Sequence, residues 1–227
     1  MKRHHAAQIR RCAIAAAIYM GWMVGPAAAS GAAQQPAHEQ SREAWQRIPE
    51  IFAALGATPG AVIADVGAGP GFFTERLAKT VGPNGRVVAV DIDAGTLRTL
   101  HNRLRDAGLT NVDTIQGQPD DPRLPAASLD GALIVNAYHE MVDHQAMLAH
   151  IREALKPGGR LVIVEPISDG RRDGARDAQT RQHEIAPGFV QEEARAAGFR
   201  IVSFVDPFVQ RPSHDTEYML VLTPIDR

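Results

Sequence analysis

The stretch Val62-Ile63-Ala64-Asp65-Val66-Gly67-Ala68-Gly69-Pro70-Gly71-Phe72-Phe73 constrains this chain more than any other. An apolar run of strand character ends in an acid, and glycines follow at every second position. An apolar, helix-competent segment, Phe72–Val81, comes next. A strand entering a Gly-rich turn and then a helix is a nucleotide-binding device, because glycine lets the backbone turn sharply and approach a ligand closely. The dinucleotide fingerprint G-x-G-x-x-G places a third glycine where this chain has Phe72. The spacing is instead Asp-x-Gly-x-Gly-x-Gly.

Strand and helix patterns then alternate. Strands are predicted at Val62–Val66, Arg86–Val90, Val112–Gln116, Leu129–Val135, Arg160–Glu165, Ile201–Val205 and Tyr218–Leu222. Helices are predicted at Phe72–Val81, Ala94–Ala107 with Asp93 as N-cap, Asp143–Leu155 and Phe189–Ala197. An amphipathic helix over Arg42–Leu55, interrupted by Pro49 and closed by Gly56, precedes them and reads as core cover. This order predicts an α/β fold: a mostly parallel seven-stranded sheet with helices on both faces. The last two strands have no helix between them, so they should form an antiparallel edge.

Asp91 stands 20 residues after Gly71, at the end of strand two. An acid there can accept hydrogen bonds from both hydroxyls of a ribose; as the alternative it caps the next helix. The segment Leu133–Glu140 ends strand four, where open α/β sheets bind their ligands. Asn136, Tyr138 and His139 therefore fall near the reacting centre. His139 is the candidate proton acceptor, with Glu140 to orient it. As the alternative the segment only lines a pocket.

With these residues in hand, the chain resembles the class I S-adenosylmethionine-dependent methyltransferases. The resemblance rests on Asp65 with Gly67, Gly69 and Gly71, on Asp91, on the strand-four segment to His139, and on the Leu155-Lys156-Pro157-Gly158-Gly159 turn. It spans roughly residues 42–222 and implies a Rossmann-like fold with S-adenosylmethionine as cofactor. It implies that Asp65 helps hold the methionine ammonium, that Ile92 packs on the adenine, and that Tyr138 faces the sulfonium. Asn136 falls with them among the cofactor-binding positions. The family's Gly-Asp pair for the adenine is altered here to Gly117-Gln118, followed by Pro119, which has no N–H. Asp120 is the first candidate to take over that contact and Gln118 the second. The Lys156–Gly159 turn is geometric only.

Charge and composition bound the rest. Residues 1–29 carry Lys2, Arg3, Arg10 and Arg11 and no acid; the remainder holds 20 basic against 26 acidic residues. That balance gives no electrostatic footprint for nucleic acid and favours a small-molecule acceptor. The basic start, the apolar run Cys12–Val24 and Ala27-Ala28-Ala29 read as a cleaved export signal ending before Ser30. The expected location is then the periplasm or outside the cell, with no membrane insertion after cleavage; a mis-assigned start would make it cytoplasmic. Residues 30–41 read as a flexible linker and 42–227 as the folded domain.

Cys12 is the only cysteine, so the domain has no thiolate chemistry. His and Asp residues show no metal-ligand spacing, and no metal is expected. The polar stretch Glu165–Pro187, with Arg171, Arg172, Arg176 and Arg181, reads as a disordered surface loop. The alternative is a substrate-facing lid with His183 and Glu184 as contacts. His214 and Asp215 leave the same two options. Two other functions stay open: a non-catalytic cofactor-binding protein on this fold, and an NAD-linked oxidoreductase, against which Phe72 argues.

Overall fold

The computed structural model describes residues 42–210 and 216–225. The expected signal (1–29), the linker and His214-Asp215 lie outside the described residues. Among those described, no helix is long and apolar enough to cross a membrane.

Seven strands form one sheet in the order β3-β2-β1-β4-β5-β7-β6. They are β1 (Val62–Val66), β2 (Arg86–Asp91), β3 (Val112–Gln116), β4 (Leu129–Val135), β5 (Leu155–Ile167), β6 (Phe199–Val209) and β7 (Thr216–Pro224). β1 to β5 pair in parallel, with Asp65 opposite Ala89 and Leu133. β7 runs antiparallel between β5 and β6, giving the expected antiparallel edge.

The helices are α1 (Ile48–Leu55), α2 (Phe72–Val81), α3 (Ala94–Asp106), α4 (His144–Ala154), α5 (Arg176–Thr180) and α6 (Pro187–Ala196). Side-chain alternation along the strands sorts them into two layers. Ile63, Val87, Leu133 and Val162 pack with Ile51 and Leu55 of α1 and Phe73 and Leu77 of α2. Ala89, on the same face, packs with Leu97, Leu100 and Leu104 of α3. Ala64, Val88, Ile134 and Ile163 point the other way, onto Leu148 and Ile151 of α4 and Val190 of α6. Full burial of a Leu or Ile contributes about 1.5–3 kcal/mol, so each layer is held by several such side chains.

Pro49 does not interrupt a single helix. Residues 42–45 are helical, Arg47 adopts a left-handed conformation (φ 52°), and Pro49 sits in the first turn of α1. Proline fits there because the first-turn N–H has no intrahelical partner. Gly56 closes α1, and Asp93 caps α3 by accepting the Thr96 N–H at 2.6 Å, both as expected.

Two readings change. The Lys156–Gly159 segment is not a turn between helix and strand. Leu155 already pairs with Leu129, and the pairing resumes at Arg160 opposite Gly131, so the segment is a bulge inside β5. Lys156 reaches Asp130 at 2.7 Å, and that acid also accepts the Val62 N–H. The second change is at 167–186, which is ordered among the described residues rather than a disordered loop. Its arginines meet acids the sequence places far apart: Arg172 with Asp206 at 2.7 Å and Arg176 with Glu193 at 2.6 Å. Buried Gln179 donates to the Arg171 and Gly174 carbonyls and accepts from the Ala186 N–H.

Candidate functional site

The carboxyl ends of β1 to β5 meet along one edge of the sheet, and the order in which the chain lays down its strands reverses between β1 and β4. Crevices at such a reversal are where open α/β sheets hold ligands. The residues singled out in sequence at Asp65–Gly71, Asp91, Gly117–Asp120 and Asn136–Glu140 all follow these strand ends.

The turn after β1 needs its glycines. Gly67 has φ 79°, and a Cβ there would lie 2.6 Å from the Ala137 Cβ on the β4 loop. Gly71, at φ 92°, stands as the N-cap of α2. Asp91 holds the turn in place: its Oδ2 accepts the Gly69 N–H at 2.9 Å, and its Oδ1 accepts the Asp93 N–H at 3.0 Å. A carboxylate has further lone pairs for a ligand.

Asp65 is buried beneath this turn and accepts the Thr74 hydroxyl at 2.6 Å. Burial pushes its carboxyl up to about 6, against the Thr74 hydrogen bond and the positive charge of Arg42. Nothing in the sequence marked Arg42. Its guanidinium lies 4.4 Å from the Phe72 ring centroid, stacked over the start of α2.

A pocket of about 230 Å³ opens beside Asp91. Val66, Val90, Ile92, Pro119, Val142 and Met147 give it apolar walls, and Gly67, Asp91, Gln118 and Glu140 line it as well. Ile92 is 61% exposed and Val142 87%, so apolar surface rims the opening. Of the two candidates for the altered loop, Gln118 lines the pocket and Asp120 does not; Asp120 is exposed outside it. The Gln118 N–H is spent on the Asp121 carbonyl at 2.7 Å.

The β4 end divides differently from the sequence expectation. Asn136 takes a left-handed backbone (φ 54°) and is exposed, outside the pocket lining. The expectation that Tyr138 faces a sulfonium is corrected: Tyr138 is fully buried in the core and donates its hydroxyl to Glu193 at 2.7 Å. Burial and the Glu193 carboxylate push its phenol well up, so it stays neutral. His139 is buried, and its Nδ1 lies 2.6 Å from Oε2 of Glu165. Glu165, not Glu140, is therefore the orienting acid. Its Oε1 accepts the N–H groups of Ala137 and Tyr138, both at 2.7 Å, so one carboxylate fixes the whole turn after β4.

An ionised carboxylate only accepts, so Nδ1 of His139 carries a proton and the neutral ring has its lone pair on Nε2. Burial lowers the affinity of His139 for a second proton, but the hydrogen bond and charge of Glu165 outweigh it and hold the imidazole above its usual value. Glu140 stands on the Nε2 side, its Oε1 3.7 Å away. Sequence reasoning placed Glu165 only as the end of a strand. Its signal was legible, because it is an acid at the same strand edge as Asp65 and Asp91.

Comparisons with known proteins agree with this geometry. Residues 63–159 match the family described as Methyltransferase domain. The ubiquinone/menaquinone biosynthesis C-methyltransferase UbiE of Hahella chejuensis is 32% identical over 122 residues, 53% of this chain and 48% of that protein. The chain thus spans about half the length of the curated relatives it matches. A SAM-dependent methyltransferase from Aquifex aeolicus superimposes with a TM-score of 0.67 at 20% identity, over 83% of this chain and 98% of that one. The [4+2]-cyclase SpnF does so with a TM-score of 0.67 at 17% identity, over 80% of this chain and 81% of that one. This chain has the Rossmann-like fold of the S-adenosylmethionine-dependent methyltransferases and matches the methyltransferase domain over residues 63–159.

Proposed function

We propose that this chain is an S-adenosylmethionine-dependent methyltransferase acting on a small, partly apolar acceptor. The observation that carries the reading is the joint held by Asp91. One carboxylate fixes the glycine turn through Gly69 and lines a pocket whose far wall is apolar. A nucleoside needs this combination of a ribose-binding acid, an apolar face for its base, and a backbone that comes close. Gly67 supplies the last, since a side chain there would fill the space against Ala137.

When bound, S-adenosylmethionine supplies a methyl group made electrophilic by the adjacent sulfonium. The chain's own residues would then divide as follows. Asp91 holds the ribose diol, and Ile92 and Gln118 bound the adenine end. Asp65, with Arg42 nearby, is the acid for the methionine end. The exposed apolar side chain of Val142, with Met141 and Met147, lines the approach and keeps water from the reacting centre. The same rim favours an acceptor with an apolar body. The UbiE relatives are named for carbon methylation in quinone biosynthesis, so a hydroxylated ring is the first acceptor class to try.

A second reading has a specific observation behind it. Pro119 has no N–H and the Gln118 N–H is already committed, so the adenine end offers fewer backbone donors. A protein that binds the cofactor without transferring its methyl group would tolerate this. The test is incubation of the purified full chain with S-adenosylmethionine and a panel of phenols and hydroquinones. Release of S-adenosylhomocysteine with a methylated product supports the first reading. Calorimetric binding without any product supports the second, and binding of NADH instead of S-adenosylmethionine overturns both.

We also read residues 1–29 as an export signal, on the basic start and the Ala27-Ala28-Ala29 pattern. N-terminal sequencing of protein from its native host checks it: a start at Ser30 agrees, and an intact Met1 does not.

A further inference from the structure

His139, Glu140 and His183 converge at the edge of the pocket, although His183 belongs to the distant 167–186 segment. One ligand atom from each lies within 4.8 Å of the others. Glu140 Oε1 stands 3.7 Å from Nε2 of His139 and 3.5 Å from Nδ1 of His183. The two imidazoles meet edge to face, with centroids 5.6 Å apart. Ligands about 2.0–2.1 Å from a tetrahedral zinc stand roughly 3.4 Å from one another. Both distances to Glu140 need only a few tenths of an ångström to meet that geometry. The exposed His183 ring can close the remaining gap by rotation.

Two further observations separate this cluster from a chance meeting of polar groups. Glu165 holds Nδ1 of His139 and leaves Nε2, the metal-binding nitrogen, on the side of Glu140. A carboxylate behind a histidine is the usual support for a metal-bound imidazole, because it fixes the ring and strengthens the donor. His183, for its part, adopts a left-handed backbone (φ 57°), uncommon for a residue other than glycine. It is kept there from both sides. Its N–H donates to the Thr180 carbonyl, and the next residue, Glu184, is buried and takes hydrogen bonds from the Ser168 N–H and hydroxyl and from Arg171. Such strain persists where the surroundings fix it, and it concentrates at functional sites.

We propose that His139 Nε2, His183 and Glu140 bind one divalent first-row transition cation of the zinc type, leaving a coordination position open. Two imidazoles and a carboxylate suit zinc or cobalt better than magnesium or calcium, which prefer all-oxygen shells. Three protein ligands with a fourth place free is the pattern of catalytic rather than structural zinc. Glu140 also lines the cofactor pocket, so the ion stands at the pocket's edge. There its free position would take an oxygen of the acceptor. This last role rests on the methyltransferase reading; the ion site itself does not.

The test uses the full chain, stripped of metal by a chelator and titrated with Co²⁺ while visible absorption is followed. One equivalent should bind with the intense absorption of tetrahedral Co²⁺, and Zn²⁺ should displace it. His183→Ala and Glu140→Gln alter exposed side chains and should leave the far-ultraviolet circular dichroism unchanged. Each should weaken Co²⁺ binding about tenfold or more. Absence of the tetrahedral absorption would overturn the proposal, as would an affinity unchanged in both variants. Calorimetry with S-adenosylmethionine on the same metal-free protein tells the two readings apart: a failed ion site with intact cofactor binding leaves the methyltransferase reading standing.

Discussion

Glu165, two residues before the end of β5, and His139, beyond the end of β4, form a buried pair, with Nδ1 of the imidazole 2.6 Å from the carboxylate. The same carboxylate takes two backbone N–H groups of the β4 turn. The pair thus fixes a ring orientation, a tautomer and a loop at once. Glu165→Gln tests this. The glutamine oxygen can still serve the backbone donors, but its NH₂ then faces Nδ1. The neutral ring must move its proton to Nε2 to pair with it. A stability loss of about 1–3 kcal/mol in urea is expected, together with a tautomer switch in the ¹⁵N spectrum of His139. An unchanged tautomer would show that Glu165 does not set it.

Asp65 makes the fold sensitive to mild acid in an unusual direction. Its carboxyl is raised to about 6 in the folded chain, against about 3.9 in an unfolded one. The folded state therefore holds a proton that the unfolded state has lost, and its contribution to stability falls as pH rises from about 4 to 6. Two units correspond to about 3 kcal/mol at most. Asp65→Asn removes this cost. The variant should match the parent in stability near pH 4 and exceed it at pH 7, by urea denaturation. Parallel pH curves for the two would refute the assignment.

On the proposed function, the same variant should bind S-adenosylmethionine more weakly, because the acid proposed for the methionine ammonium is gone. In the parent, affinity should drop as pH falls below about 6, where Asp65 takes up its proton. Calorimetry between pH 5 and 8 reads both effects. A pH-independent affinity in the parent would place the ammonium elsewhere.

Asp91→Ala removes the acceptor for Gly69 and Asp93, and with it the acid proposed to hold the ribose. Cofactor affinity should fall at least about 10-fold, since a hydrogen bond to a charged group contributes roughly 1.5–3 kcal/mol. Asp91→Asn keeps one acceptor oxygen and should fall between the two. S-adenosylhomocysteine is a suitable calorimetric probe because it does not react.

Gly67→Ala places a methyl group 2.6 Å from the Ala137 Cβ at a positive φ. The β1 and β4 loops must separate, at a cost of about 1–3 kcal/mol, and the cofactor cleft should lose affinity. Thermal unfolding and calorimetry together check this. A variant that keeps both stability and affinity would mean that the two loops have room to spare.

Tyr138→Phe should leave cofactor binding and turnover near the parent values, because the hydroxyl points into the core toward Glu193. The loss is one hydrogen bond to a carboxylate, about 1.5–3 kcal/mol of stability. Glu193 keeps Arg176 at 2.6 Å and His144 at 3.2 Å. A large fall in turnover with unchanged stability would return the phenol to the reacting centre.

Local pattern determined much of this protein. Strand and helix periodicity reports which face of each element is apolar, and that sufficed for the order of elements and the two-layer sheet. The glycine turn and the acids Asp65 and Asp91 were legible for the same reason: each stands within a few residues of the strand that carries it. Three things were decided only in the tertiary structure, because they depend on which strand ends and loops become neighbours. Asp206 and Glu193 reach back to order the arginines of 167–186, which by themselves read as a solvated loop. Tyr138 and His139 are adjacent in sequence, yet the turn after β4 sends one into the core and the other to Glu165. The meeting of His183 with His139 and Glu140 joins segments that no short spacing connects, and the later segment is tied to the rest of the fold by Arg172–Asp206 and Arg176–Glu193.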